Sequence, residues 1–396
     1  MDSFDFNRVN HFMLRRQHLA QGTRGKGGDV VRVTRDIGGL HATYPLSPYL
    51  SAFLRVKGFR KEQLDKELFE KKSLGRVRFV RKTMYILPRG LIAPAFAAIR
   101  KMVEMRAGGF EKYMGITPGQ YAAAAKKIMK VVGGVSCGLS VSDIKKALGA
   151  HLNVSPVVSM MCDEGLLVRG MPRGGWTSNV HCYHVFRDFF PDVDVRGVGE
   201  EEARETVVGL YLSTFGPVSE GDVVWWTGFG KEQVRAALAR LEKEVVEVDL
   251  GGVKDRYFML EPDFEELRAM KMPGGRSVLL LPCLDPCLMA YKDRQRYLDD
   301  EHYHFMYDRS GNATWTIMIG GKVAGVWDYK EPVVKICLFR RKAGAGVLKE
   351  LRREAVRVGR FISGRKIDVR VKQVGGMIPL TERPAGGFMS PLKEMR

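Results

Sequence analysis

One pattern occurs three times in this chain and constrains its fold more than any other feature. It is a helix, a turn, a second helix and then a short hairpin, the layout of a winged helix-turn-helix. The third occurrence, Val207 to Leu260, is the clearest. Val207, Leu210 and Tyr211 recur at helical spacing, and Phe215-Gly216-Pro217 breaks that helix. Ser219, with Asp222 three residues on, is close to a capping box. Lys231 to Leu241 reads as the recognition-type helix, and Val245, Val248 and Phe258 flank a Gly251-Gly252 turn, a hairpin signal. The second occurrence runs from Gly138 to Phe186. Ser140 leads its first helix, Asn153 to Glu164 forms its second, and Arg169 to Trp176 is a glycine-rich basic turn suited to a wing. The first is looser, with helices in VTRDIGGLHATYP, SPYLSAFLRVKGF and the start of KEQLDKELFEKKSLGRVRFVRKTMYIL, which ends in a strand pair.

Past Met272-Pro273 the composition changes. The runs SVLLLPCLDPCLMAYKDR, ATWTIMIGGKVAGVWDY and EPVVKICLF alternate with glycine turns, and Ala345 to Ser363 is an amphipathic helix. This predicts a β-rich, barrel-like domain. The fold class is therefore α+β, with three winged-helix units at 1–115, 116–195 and 196–272 and the β-rich domain at 273–396. Four units agree with a prior of about 100–200 residues per domain.

The charge points to the partner. Lys and Arg number 64 against 45 Asp and Glu, a net +19 with pI near 9.7. That balance favours nucleic acid. No run of about 18 uncharged apolar residues suggests a membrane span, and the N-terminus lacks the signal-peptide pattern, so a cytoplasmic, nucleoid-associated protein is predicted. The loop GTRGKGG, Gly22 to Gly28, lacks the GxxxxGK[ST] phosphate loop and reads as a cationic loop, not a nucleotide site. Cys283 and Cys287 have CxxxC spacing, and His181-Cys182-Tyr183-His184 is a second cluster. Structural zinc sites show two close pairs at sharper spacing, so these residues read as packing and no metal is predicted.

The stretch GGLHATYP, Gly38 to Pro45, places His41 and Thr43 two positions apart. On a helix they point to nearly opposite sides, whereas on extended backbone they point the same way. Pro45 pushes Tyr44 out of the helical region, so a helix through Ile37 ends here and the pair can share a side.

The segments LRRQHLA, GGLHATYPLSPYLSAFLRVKGF, TFGPVSEGDVVWWTG, LLPCLDPCLMAYKDRQRYLD and GKVAGVW, in that order, resemble the AlkZ/YcaQ-type winged-helix DNA glycosylases. The likeness covers about Phe6 to Ser363. It implies three tandem winged helices in a C-shaped clamp around double-stranded DNA, a β-barrel on the C-terminal side, and excision of bulky or N7-alkylated purines, with interstrand crosslinks among the substrates of some members. The family attributes catalysis to a Gln-apolar-Gln or Gln-apolar-Asp tripeptide in a context like GLQAQ-x-P. Here the window reads Gly39-Leu40-His41-Ala42-Thr43-Tyr44-Pro45, so both polar positions have changed. The family's R-x-T-L-H reads Arg81-Lys82-Thr83-Met84-Tyr85, with Tyr85 in place of histidine.

The resemblance implies that His41 and Thr43 face the scissile nucleotide. Neutral His41 then takes a proton from water and Thr43 orients that water. With a free histidine pKa of about 6.5, activity is predicted to fall below about pH 6. No lysine in the tripeptide offers a Schiff base, so the reading is a monofunctional enzyme; no cofactor is expected, and the resemblance implies a monomer. Arg55, Lys57, Lys82, Lys231 and Arg235 are the candidate phosphate contacts. Arg173 and Trp176 belong to a wing that enters a groove, Lys292 and Arg294 contact backbone, and Tyr44 meets either the damaged base or the core. The alternative is a non-catalytic winged-helix DNA-binding protein, a regulator or damage sensor.

Overall fold

The structure is a computed structural model that describes residues 3–25, 29–107, 115–149, 153–251, 253, 255–272, 274–340, 343–373, 377–382 and 392. Lys26, Gly27 and Gly28 of the cationic loop lie outside these residues. Of the rest of that loop, Gly25 is tied to the Arg55 and Lys57 backbone by hydrogen bonds of 2.9 Å.

Strand β1 (Ser3–Phe4) and the helix Phe6–Arg16 open the chain. The helix Val30–Asp36 follows, then β2 (Leu40–His41), the helix Leu46–Arg55, the short helix Lys61–Asp65, and a hairpin of β3 (Leu74–Arg78) and β4 (Met84–Pro88). These three strands form an antiparallel sheet in the order β2-β4-β3. The next group contains helices Pro118–Gly133, Val141–Leu148 and Val154–Asp163, and the hairpin β5 (Leu167–Pro172) and β6 (His181–Val185). Ser140 and Asp143 form a reciprocal cap on the second of these helices.

The third group contains the helix Glu200–Phe215, β7 (Val218–Ser219), the helices Glu220–Thr227 and Lys231–Arg240, and the hairpin β8 (Val245–Leu250) and β9 (Tyr257–Leu260). Its sheet runs β1-β8-β9-β7. The chain's first strand thus pairs in parallel with β8, and Arg8 donates to the Leu267, Arg268 and Met270 carbonyls. The first few residues are thus docked against residues far from them in sequence. Trp226 is 1% exposed and binds this group to the first hairpin. Its ring lies 5.8 Å from Phe79 and 4.8 Å from Tyr211. A buried aromatic of this size is among the largest single contributors to a core.

The C-terminal part departs from the barrel expected from its sequence. Strands β10 (Val278–Leu281), β11 (Thr316–Ile319), β12 (Lys322–Lys330), β13 (Val333–Leu338) and β14 (Asp368–Gln373) form a five-stranded sheet in sequence order. Among the described residues its two edges do not pair, so it is open. The reason is the helix Ala345–Ser363, which connects β13 to the parallel strand β14 and packs against β10, β13 and β14. Leu351, Ala355 and Val358 on that helix are fully buried. A helix that covers one face of a sheet removes the need for the sheet to close on itself. Among the described residues no helix is long and apolar enough to cross a membrane.

Candidate active site

The backbone of GGLHATYP explains the placement of His41. The helix ends at Asp36, earlier than the proline alone requires, because Gly38 and Gly39 take φ of +72° and +102°. Gly39 also passes close to β4, where a Cβ would lie 2.6 Å from Leu87 Cδ2 and 3.2 Å from the Ile86 carbonyl. Glycine alone meets both demands. The chain then enters β2, with Leu40 opposite Ile86 and His41 opposite Tyr85. The Ala42 N–H donates to the Met84 carbonyl at 2.7 Å, and Pro45 caps the helix Leu46–Arg55.

His41 is 2% exposed, with its ring 4.9 Å from that of Tyr85. The Thr43 backbone N–H points at His41 Nδ1 from 3.5 Å. Thr43 itself is exposed, and its Oγ1 accepts the Met84 N–H at 3.3 Å. Burial, and then the charge of Arg81, push the His41 pKa down to about 3, against a smaller opposing pull from Asp285. His41 is therefore neutral throughout the physiological range. The fall below pH 6 expected from a free imidazole does not apply to this one. Burial also pushes the Tyr85 hydroxyl far above its ordinary range, so it stays protonated. Asp36, the nearest acidic residue in sequence, is committed elsewhere, accepting from His18 Nε2 at 2.8 Å.

One face of the helix Leu46–Arg55 fastens this segment to the C-terminal part. Ser47, Ser51 and Arg55 stand four residues apart and share that face. Ser47 Oγ donates to the Cys283 carbonyl at 2.7 Å, and Ser51 Oγ to Asp285 at 2.9 Å. Arg55 grips both Asp285 oxygens at 2.7 and 2.8 Å. The CxxxC spacing thus serves the aspartate between the cysteines. Burial pushes Cys283 up to about 12 and raises Cys287 well above the ordinary thiol range, so both are protonated thiols. Among the described residues, the group whose side-chain atoms lie close enough together to hold a metal ion is Asp299, Glu301 and His302.

The candidate DNA contacts divide sharply. Arg55 is wholly buried in its pair with Asp285 and cannot reach a phosphate, which corrects the expectation for it. Arg294 is likewise only 6% exposed, its guanidinium 3.8 Å from the Tyr307 ring centroid and 4.9 Å from that of Trp225. Trp176 is half-buried, its ring 5.0 Å from Tyr49 and 5.6 Å from Phe361, so it anchors the wing to neighbouring elements and does not project from it. Tyr44 is half-buried edge-on to Trp315, with ring centroids 5.6 Å apart. Lys57, Lys82, Lys231 and Lys292 are exposed. Arg173 and Arg235 are exposed too, but paired with Asp143 at 2.7 Å and with Glu220 and Glu232 at 3.0 Å.

Arg81, beside the tripeptide, is not among the candidate contacts that the sequence offers, whereas its neighbour Lys82 is. Arg81 and Lys82 form the tip of the β3–β4 hairpin with φ of +52° and +60°. The Arg81 guanidinium lies 3.9 Å from the Trp225 ring centroid, and its Nη2 donates to the Ser310 carbonyl at 3.2 Å. Trp225 is contributed by the third group and Ser310 by the C-terminal part. Only the Arg81-Lys82-Thr83 string offered a hint in sequence.

Comparison with known proteins adds three findings. A family described as DNA glycosylase AlkZ-like matches residues 34–361. The fold is similar to that of the Streptomyces sahachiroi DNA glycosylase AlkZ, with a TM-score of 0.75 and 21% identity over 94% of this chain and 100% of that one. No curated protein matches the sequence.

Proposed function

Because the chain belongs to the AlkZ-like DNA glycosylase family, we propose that it is a monofunctional enzyme that hydrolyses the N-glycosidic bond of N7-alkylated or bulky purine nucleotides in duplex DNA, including adducts that tether the two strands. Its three helix–helix–hairpin groups act as winged helices that curve around the duplex. The observation that carries the reading is a buried, neutral His41 beside an exposed Thr43, within the matched residues.

The bond breaks through an oxocarbenium-like sugar. An N7-alkylated purine is already cationic and departs without further protonation. What the site must supply is a placed water and a way to remove its proton. The Thr43 Oγ1 accepts from Met84, which leaves its hydroxyl proton and a second lone pair for a water. His41 Nδ1 is met by an N–H at 3.5 Å, a long contact that a water displaces. Neutral His41 does not repel the cation as it develops; it takes the water's proton as the water oxygen bonds to the sugar and quenches that charge, and its lowered pKa makes it a weak base.

The test is single-turnover base release from a duplex carrying N7-methylguanine. His41→Ala is expected to slow release by about 100-fold or more, the lower end of a typical general-base contribution. Equal rates in both proteins would refute His41 as the base. A second reading, binding without chemistry, is favoured by one fact: His41 Nδ1 already has a donor and almost no solvent access. Its signature is tight duplex binding with no release from N7-methylguanine or from a bulkier N7 adduct.

A further inference from the structure

Arg81 is half-buried and makes no direct ion pair among the described residues, although the Asp308 carboxylate acts on it from farther away. Four exposed arginines, Arg173, Arg235, Arg240 and Arg256, each hold a carboxylate. Arg294, over the same indole, also lacks a carboxylate partner, and its buried Nε has no hydrogen-bond partner. Its bonds go to the Tyr303 hydroxyl at 2.7 Å and the Gly311 carbonyl at 3.2 Å. Two guanidinium groups over one tryptophan, neither with a direct carboxylate partner, repel each other. The arrangement is suited to an anion supplied from outside.

The geometry says which anion. A guanidinium lying on an indole keeps its N–H edge free in its own plane, the edge that grips phosphate oxygens. Arg81 spends one donor on Ser310. It stands three residues from Met84, whose N–H holds Thr43 Oγ1, and Lys82 beside it is exposed. We infer that Arg81, stacked on Trp225, binds the DNA phosphodiester flanking the target nucleotide and so positions that nucleotide over Thr43. This rests on the glycosylase reading for the identity of the nucleotide, but phosphate binding itself can be measured without chemistry.

The experiment measures binding of undamaged duplex DNA between about 50 and 200 mM salt by wild type and Arg81→Gln, with thermal melts to establish folding. A lost phosphate contact makes the plot of log affinity against log salt shallower by about one unit. An unchanged slope in a folded Arg81→Gln overturns the inference. Because that measurement needs no base release, it decides even if the wild type proves inactive. Inorganic phosphate is titrated into both proteins in parallel. Arg81-dependent phosphate binding with an unchanged DNA slope identifies a free phosphate as the ligand and overturns the backbone assignment. Trp225→Leu removes the shelf without removing charge. It is expected to keep the slope and slow base release at least tenfold. Wild-type release by this variant overturns the positioning role of the stack.

Discussion

Arg55 and Asp285 are joined by hydrogen bonds of 2.7 and 2.8 Å, and neither side chain meets solvent. The pair ties the helix that follows the tripeptide to the connection between β10 and β11 of the C-terminal sheet. Removing one partner strands the other charge in a dry interior. Arg55→Met is therefore expected to lower stability by about 3–5 kcal/mol, measured by chemical denaturation. Burial alone would raise the Asp285 pKa, but Arg55, Cys287 and Ser51 together hold it below the usual carboxylate range. Its stabilising contribution is present above the unfolded carboxylate pKa of about 3.9. It is lost as pH falls below that value and through the lower folded one.

The His41 imidazole has a different acid signature. Its folded pKa of about 3 lies below the unfolded value of about 6.5, so the unfolded chain takes up the proton first. Stability is expected to decline as pH drops from 6.5 towards 3, by about 5 kcal/mol over the full span at about 1.4 kcal/mol per unit. His41→Phe should flatten this dependence in denaturation curves taken at pH 5 and pH 7. Base release should show no loss attributable to His41 between pH 9 and pH 5.

Gly39 leaves no room for a side chain. An alanine there combines φ of +102° with a Cβ 2.6 Å from Leu87. Gly39→Ala is expected to cost about 1–3 kcal/mol or more and to displace β2, so that base release falls together with the melting temperature. Unchanged activity and stability would contradict the described path of the chain.

Thr43→Val keeps the shape of the side chain and removes its oxygen. The Met84 N–H loses an acceptor, a loss of about 1 kcal/mol, and the proposed water loses a partner. Single-turnover release is expected to slow about tenfold with duplex affinity unchanged. A parallel loss of affinity would instead assign Thr43 to binding.

Cys283 and Cys287 are buried thiols around an aspartate that holds Arg55. A strong zinc chelator is expected to leave both the melting temperature and base release unchanged. A drop in either would restore a metal role to this turn.

Much of this protein is legible in its sequence because the determining interactions are local. The caps Ser140 and Ser219 and the helix Ala345–Ser363 follow from periodicity, capping chemistry and glycine, which act over a few residues. The register of GGLHATYP marks the family and places His41 and Thr43 at the front of the candidate site. What sequence could not reveal is which cations face water. Arg55 looks like a phosphate contact until Asp285, 230 residues away, is brought against it. Arg81 looks like one solvated charge among many until Trp225 and Arg294 arrive beside it. The His41 pKa and the openness of the last sheet belong to the same class. Desolvation, charge pairing and sheet closure depend on groups distant along the chain, and only the tertiary structure brings those groups together.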